Sequence, residues 1–171
     1  MGSKVSIQGD YNRAFGDLSS ILGTKNNAIG QQNTIVGIQS SAFGANNYLQ
    51  GKQSLVAGSN NILFGDGNIS SGDNNTAYGN SNQLLGMFNM AKGNSNNLNG
   101  NYLVANGSGN FGLGTAGFIN GNGNTFSGSQ AKIVGDNNNL AGLMNQIFGS
   151  NANVNGNGNI LQGNGISIRG N

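Results

Sequence analysis

The sequence predicts an all-β protein, a parallel β-solenoid or β-roll of 24 seven-residue units, with two short strands in each 14-residue coil and about 12 coils. Three observations support this fold class. Glycine occupies every seventh position from Gly9 to Gly170, which accounts for 24 of the 32 glycines. An apolar column lies two positions before these glycines. Residue size within that column repeats every fourteen positions rather than every seven.

The heptad frame organises the whole chain. With positions named a to g and the glycine placed at e, the frame runs from Val5 to Asn171 without insertion or deletion. Residues 1–4 form an N-terminal extension, and residues 5–171 form a single repeat domain. No linker or domain boundary interrupts the frame.

Position c is predicted to face the core. It is apolar in almost every unit, the exceptions being Ser70 and Gly112, and no charged residue within the frame falls at a or c. Side chains alternate between the two faces of a strand, so b and d are expected to point away from the core. The predicted core residues are Ile7, Ile21, Ile35, Leu49, Leu63, Leu84, Leu98, Ile133, Ile147 and Leu161.

A coiled coil also has a seven-residue period, but this sequence argues against one. A coiled coil needs two apolar positions per heptad and good helix formers. Each heptad here carries a glycine, which costs roughly 1 kcal/mol inside a helix, together with several Asn or Ser residues. The unit is therefore expected to be a strand of three or four residues, a glycine and a short turn.

Residue size in column c predicts the length of one coil. Large residues recur in the odd heptads, as at Ile7, Ile21 and Ile35, while small ones recur in the even heptads, as at Ala14 and Ala28. A large residue facing a small one suits two sheets that interdigitate across a thin core. Two strands per coil and a strand spacing of about 4.8 Å predict a rod roughly 55–60 Å long.

Glycine at e and asparagine at a are interpreted as structural. Glycine permits a backbone conformation that other residues reach with strain, or a close approach of neighbouring strands. Asparagine tolerates left-handed geometry, can bond to a turn, and can stack in a ladder. The turn glycines are assigned to Gly9, Gly16, Gly23, Gly30, Gly37 and Gly44. The asparagine ladder is assigned to Asn12, Asn26, Asn33, Asn47, Asn61, Asn68, Asn75 and Asn82.

Eleven of the twelve aromatic residues lie outside position c. A thin two-sheet core has no room for them, so they are expected on the surface. Some form columns together with aliphatic residues, and such columns suggest lateral contact with another chain. The predicted lateral interface comprises Phe15, Ile29 and Phe43 on one face and Ile62, Phe64 and Tyr78 on the other.

The repeat resembles the head repeats of trimeric autotransporter adhesins, the YadA-like head. The segments 26–33, 40–47 and 75–82 carry the pattern, for example Asn26-Asn-Ala-Ile-Gly-Gln-Gln-Asn33. The resemblance covers most of the chain, although its motif is short and structural. It implies a left-handed parallel β-roll with fourteen residues per coil, a bacterial surface location, trimerisation and adhesion without catalysis. Stalk, neck and membrane anchor are absent from the sequence, and both outward faces are mixed in polarity.

Composition argues against several functional classes. The chain has no His, Cys or Glu, and its five Asp residues suit solvated turns better than general acid–base catalysis or metal binding. We therefore predict no catalytic residues, no metal site, no cofactor and no enzymatic activity. The net charge of +2 comes from scattered residues, which argues against a nucleic-acid partner. No apolar run is long enough to span a membrane, and no signal peptide is evident.

The leading functional hypothesis is a structural subunit that joins head to tail into fibres outside the cell or on its surface. The frame reaches both ends of the chain, and the units Val5–Asp10 and Ile166–Asn171 are near copies. Exposed strand edges at the ends of a solenoid are normally capped or charged. The chain's partner is then another copy of itself. The predicted end-to-end interface comprises Val5, Ile7, Ala14, Leu161, Ile166 and Ile168.

Two alternatives remain. A trimeric adhesin head would bind a host or surface ligand, with a homotrimer in place of a homopolymer. An ice-binding solenoid would display a regular two-dimensional array on one flat face. That array is often built from Thr, and few Thr residues point outward here: Thr34, Thr76 and Thr125 at position b.

Overall fold

The short glycine-punctuated units fold into 24 β-strands, and the described residues contain no helix. The structure is a computed structural model, and it describes residues 4–169. The first twelve strands are β1 (Ser6–Gln8), β2 (Arg13–Phe15), β3 (Ser20–Thr24), β4 (Asn27–Ile29), β5 (Thr34–Ile38), β6 (Ser41–Phe43), β7 (Tyr48–Lys52), β8 (Leu55–Ala57), β9 (Ile62–Phe64), β10 (Ile69–Ser71), β11 (Thr76–Tyr78) and β12 (Gln83–Leu85). The remaining strands are β13 (Met90–Lys92), β14 (Asn97–Asn101), β15 (Val104–Asn106), β16 (Phe111–Thr115), β17 (Phe118–Asn120), β18 (Thr125–Ser129), β19 (Lys132–Val134), β20 (Asn139–Leu143), β21 (Gln146–Phe148), β22 (Asn153–Asn155), β23 (Ile160–Gln162) and β24 (Ser167–Arg169).

The strands form two parallel sheets of twelve strands each. Sheet 1 contains the odd-numbered strands and sheet 2 the even-numbered strands, both in sequence order. Each strand pairs with the strands one coil before and after it, and the register shift is fourteen residues, as in the pairing of Ile7 with Ile21. The prediction of a parallel β-solenoid with two strands in each of about 12 coils is therefore confirmed.

The core lies between the two sheets and is formed mainly by position c. From Ile21 to Leu161 the apolar c side chains are almost all fully buried, while b and d point outward as predicted. Ser70 is also buried, and its hydroxyl donates a hydrogen bond to Asn61 Oδ1 at 3.1 Å. One predicted core residue is wrong: Ile7 is 47% exposed, because it lies in the first coil and no strand within residues 4–169 covers its outer edge.

Position e needs glycine for two reasons. At Gly79 the φ angle is +114°, and a Cβ atom there would overlap the carbonyl oxygen of Gly93 in the next coil. The predicted close approach of neighbouring strands is thus present. The description of all six predicted glycines as turn residues needs correction, however. Gly23 and Gly37 lie inside the five-residue strands β3 and β5, whereas the other four directly follow three-residue strands.

The left-handed backbone lies at position g, which corrects the sequence-based assignment to asparagine at position a. Non-glycine residues at g have φ angles near +57°, for example Gln32, Asn46 and Phe88. No described residue at position a has a positive φ angle. The left-handed residue therefore directly precedes position a, and each strand begins one residue after a, at position b.

The core changes its packing between residues 98 and 133. Column c is small at Ala105 and Gly112, and there the residue at position a is Leu103, which is fully buried. One coil later Phe126 fills the core, and position a is Gly117. An alanine Cβ at position 117 would lie 2.5 Å from the Phe126 ring. Large side chains at one position are thus accommodated by small ones at another.

We expect Gly117→Ala to lower the free energy of unfolding by about 1–3 kcal/mol, since the added methyl group overpacks a filled core. The same substitution should cost at least about 1 kcal/mol less in a Phe126→Leu background, because the two residues share one volume. Urea denaturation of the four variants in the cycle measures both quantities. Additive effects would show that Phe126 is not what requires glycine at position 117.

Candidate assembly surfaces

The first and last coils of residues 4–169 present strand edges that have no partner within this range. There β1 pairs only with β3 and β2 only with β4, while β23 and β24 each have a single neighbour. Each of these edges carries backbone groups that a further parallel strand could pair with. The structure therefore offers two surfaces, one at each end, with the same strand direction and the same coil cross-section.

The six residues predicted for end-to-end contact are all located at these two ends, but they differ in exposure. Val5 and Ile7 are 38% and 47% exposed. Ala14, Ile166 and Ile168 are half-buried and pack against the core, while Leu161 is only 4% exposed. Among these six residues, Val5 and Ile7 at the N-terminal end are thus more exposed than the three at the C-terminal end, where Leu161 is already covered within the chain.

A ladder of buried asparagines runs along each sheet at position a. In sheet 1, Asn47 donates to Asn33 Oδ1 from its backbone N–H at 3.2 Å and from its Nδ2 at 3.0 Å. Asn61 bonds to Asn47 in the same way. The sheet 2 ladder starts at Asn12, whose Oδ1 accepts a hydrogen bond from the Asn26 backbone N–H. It continues through Ser40 and Ser54, whose hydroxyl oxygens accept the equivalent bond from the backbone N–H one coil later. All eight predicted ladder asparagines take part, so the predicted ladder is confirmed.

The ladder also explains why asparagine at a and glycine at e occur together. Asn47 Nδ2 donates to the carbonyl oxygen of Gly58 at 2.7 Å, and Asn61 Nδ2 donates to Gly72 at 2.8 Å. The glycine carbonyl points toward the interior, where it would otherwise lack a partner, and unpaired buried carbonyls are costly. Every asparagine at position a from Asn12 to Asn145 donates in this way to the glycine carbonyl eleven residues later, so the two columns of the repeat are joined by hydrogen bonds.

We expect Asn61→Ala to lower the free energy of unfolding by about 3–5 kcal/mol, because several buried groups lose their partners at once. Asn61 Oδ1 accepts from the Asn75 backbone N–H at 3.0 Å and from the Ser70 hydroxyl at 3.1 Å, besides the bond to Gly72. Chemical denaturation measures the change. The control is Asn155→Ala at an exposed position d, expected to change stability by less than about 0.5 kcal/mol. A similar small change for both would contradict a stabilising ladder.

A second ladder, which sequence reasoning missed, runs along the surface at position f. The side chain at f accepts a hydrogen bond from the backbone N–H of the f residue one coil earlier. Lys52 N–H donates to Asp66 Oδ1 and Ser59 N–H donates to Asp73 Oδ1, both at 2.7 Å. Asp66 and Asp73, which the sequence indicated as solvated turn residues, thus also accept hydrogen bonds from the backbone. The repeated Asp, Asn and Ser at f was the available signal.

The predicted lateral residues lie on the two outward faces as expected. Phe15, Ile29 and Phe43 are in register on sheet 2 and are 55%, 38% and 38% exposed. On sheet 1, Ile62 and Tyr78 are 38% and 44% exposed. Both faces therefore present short apolar columns near the N-terminal half of the rod.

Aromatic rings stack on one another along the rod. The Phe64 ring is half-buried between Tyr48 and Tyr78, with ring centroids 5.3 Å and 5.2 Å away. Phe88 and Tyr102 stack at a turn with a centroid distance of 5.1 Å, a pair that the sequence analysis did not identify. The spacing between neighbouring coils, about 4.8 Å, is close to the separation of stacked aromatic rings. Aromatic side chains at equivalent positions of successive coils are therefore brought into contact.

Residues 4–169 contain neither a cluster of metal-binding side chains nor a membrane-spanning helix. No group of three or more acidic residues lies close enough to hold a metal ion in this part of the chain. No helix within it is long and apolar enough to cross a lipid bilayer. The notable surfaces of the described chain are thus its ends and its apolar columns.

Comparison with known proteins gives no assignment. No protein-family model matches the chain, and no curated protein sequence matches it.

Proposed function

We propose that this protein is a non-enzymatic structural subunit that joins head to tail into filaments outside the cell or on its surface. The observation that supports the proposal is the pair of strand edges that lack a partner within residues 4–169 and share one strand direction and one coil cross-section. A contact between two different ends of the same molecule is heterologous, and such contacts build open filaments when they do not close into a ring.

The registers of the two ends are compatible. A second copy placed one coil beyond the first would set its Ile7 against Leu161 and its Ala14 against Ile168, at the fourteen-residue spacing found throughout the chain. Ile7 would then gain the cover that every later c residue in sheet 1 has. Burying exposed apolar surface is the main driving force for such association.

Backbone hydrogen bonds can continue across the junction. Inside the chain the N–H at position g donates to the carbonyl oxygen at position f of the previous coil, as Lys25 does to Asp10 at 3.0 Å. The equivalent bond at a junction would run from Tyr11 to Asn164 of the preceding copy. Strand addition of this kind derives its affinity from the main chain and its register from the side chains.

The extracellular location rests on the resemblance of the repeat to adhesin heads. The same resemblance supports a second candidate, a trimeric adhesin head that binds a host or surface ligand. The apolar column of Phe15, Ile29 and Phe43 favours it, because such a column could pack against two other copies around a threefold axis.

Negative-stain electron microscopy of the purified chain separates these functions. Head-to-tail joining predicts long, thin and unbranched filaments about one coil wide, or bundles of them. Discrete particles that cross-link as trimers would support the adhesin head instead. Isolated short rods at all concentrations would contradict both proposals.

A further inference from the structure

The surface ladder at position f has a direction. Along the sheet 1 side it runs from Lys52 to Asn164 without a gap, and each backbone N–H donates to the side-chain oxygen in the coil that follows. The donor–acceptor distances are 2.6–3.2 Å. Ser150 N–H donates to Asn164 Oδ1 at 3.1 Å in the last of these bonds. Within residues 4–169, no acceptor follows for the N–H of Asn164 itself.

The first coil carries the matching acceptor. Asp10 occupies position f in the first sheet 1 unit, and no coil precedes it within the described chain. The next three f residues on this side are Thr24, Ile38 and Lys52, and the described structure shows none of them accepting a ladder bond. An acceptor thus stands in the first coil, for which no preceding coil of residues 4–169 supplies the donor. On the sheet 2 side the first f residue is also an aspartate, Asp17.

We propose that the carboxylate of Asp10 docks on the backbone N–H of Asn164 of the preceding copy and selects head-to-tail joining. This inference rests on the proposed filament function. Internal aspartates show the geometry: Asp66 and Asp136 accept the equivalent bond at 2.7 Å and 2.6 Å, the short end of the range. Hydrogen bonds to a charged acceptor are shorter and stronger than neutral ones.

The same groups disfavour the opposite arrangement. Joining two N-terminal ends would bring the Asp10 and Asp17 carboxylates of both copies to one junction without the f-position donors. Unpaired like charges at an interface oppose association, so the carboxylates would act against the wrong partner as well as for the right one. A filament built this way has one polarity along its length.

The test measures the critical concentration for filament formation by pelleting, with Asp10→Ala and Asp10→Asn compared with the unmodified chain. Asp10→Ala is expected to raise the critical concentration about ten- to a hundredfold, since it removes a charged acceptor. Asp10→Asn should stay within about threefold of the unmodified chain, because Asn80 and Asn122 serve as acceptors inside the chain.

Asp136→Ala is the matched control, since it removes an equivalent bond in the middle of the rod. It should lower the thermal midpoint of unfolding and leave the critical concentration unchanged, while Asp10→Ala should melt like the unmodified chain. Filaments that form equally well with Asp10→Ala would overturn the docking role alone. The docking role would also be overturned if Asp10→Asn raised the critical concentration as much as Asp10→Ala. Absence of filaments from the unmodified chain would overturn the filament function itself.

Discussion

Gly79→Ala is expected to lower the free energy of unfolding by about 3–6 kcal/mol, because two costs add at this position. The residue has a φ angle of +114°, which side-chain-bearing residues rarely adopt. The added Cβ would also overlap the Gly93 carbonyl oxygen, which is fixed by pairing and cannot move aside easily. Urea denaturation followed by circular dichroism measures the loss.

Gly109→Ala is the matched control. Gly109 also has a positive φ angle, +67°, but it lies at position g, and the nearest atom to an added Cβ is 3.9 Å away. Alanine already occupies this position at Ala116, with a φ angle of +56°. We expect a cost of about 1 kcal/mol or less from the left-handed backbone alone. Equal losses for the two variants would show that conformation, not the close approach of coils, explains the glycine column.

Ile7→Lys is expected to abolish filament formation while leaving the monomer folded. Ile7 is 47% exposed at the open N-terminal end, so a lysine there can reach water in the isolated chain. In a filament the same side chain would be buried against Leu161 of the preceding copy without a charged partner. Burying an unpaired charge costs several kcal/mol, more than a single strand junction can offset. Pelleting and electron microscopy detect the loss.

Gln8→Lys provides the comparison on the same strand. Gln8 is the neighbour of Ile7 in β1 and lies at position d, which points outward along the chain. The variant has the same net charge as Ile7→Lys, so general electrostatic repulsion affects both equally. We expect Gln8→Lys to assemble. If both variants assemble like the unmodified chain, the N-terminal edge is not a junction.

The fold was predictable from sequence because one short unit repeats without interruption. Gly79 and the other position-e glycines set the length of the unit, and the alternation of Ile21 with Ala28 in column c set the length of the coil. Both features are local in sequence, and parallel stacking then brings equivalent residues together. Burial of Ile7 was predicted incorrectly because periodicity alone treats a terminal coil like an internal one.

Other features depend on contacts that the repeat does not display directly. The bond from Asn47 to Gly58 joins different units on opposite sheets, so its existence requires the path of the chain between them. The exchange of space between Phe126 and Gly117 involves positions a and c in successive units of one coil, on opposite sheets. The f ladder that ends at Asn164 and the free carboxylate position of Asp10 likewise become visible only when the coils are stacked.

Sedimentation velocity over a wide range of protein concentration tests the head-to-tail account most directly. The account predicts a broad distribution that shifts continuously to larger sedimentation coefficients as concentration rises, and a single small species for Ile7→Lys under the same conditions. If the unmodified chain sedimented as one stable monomer at the highest concentration, the head-to-tail account would be contradicted.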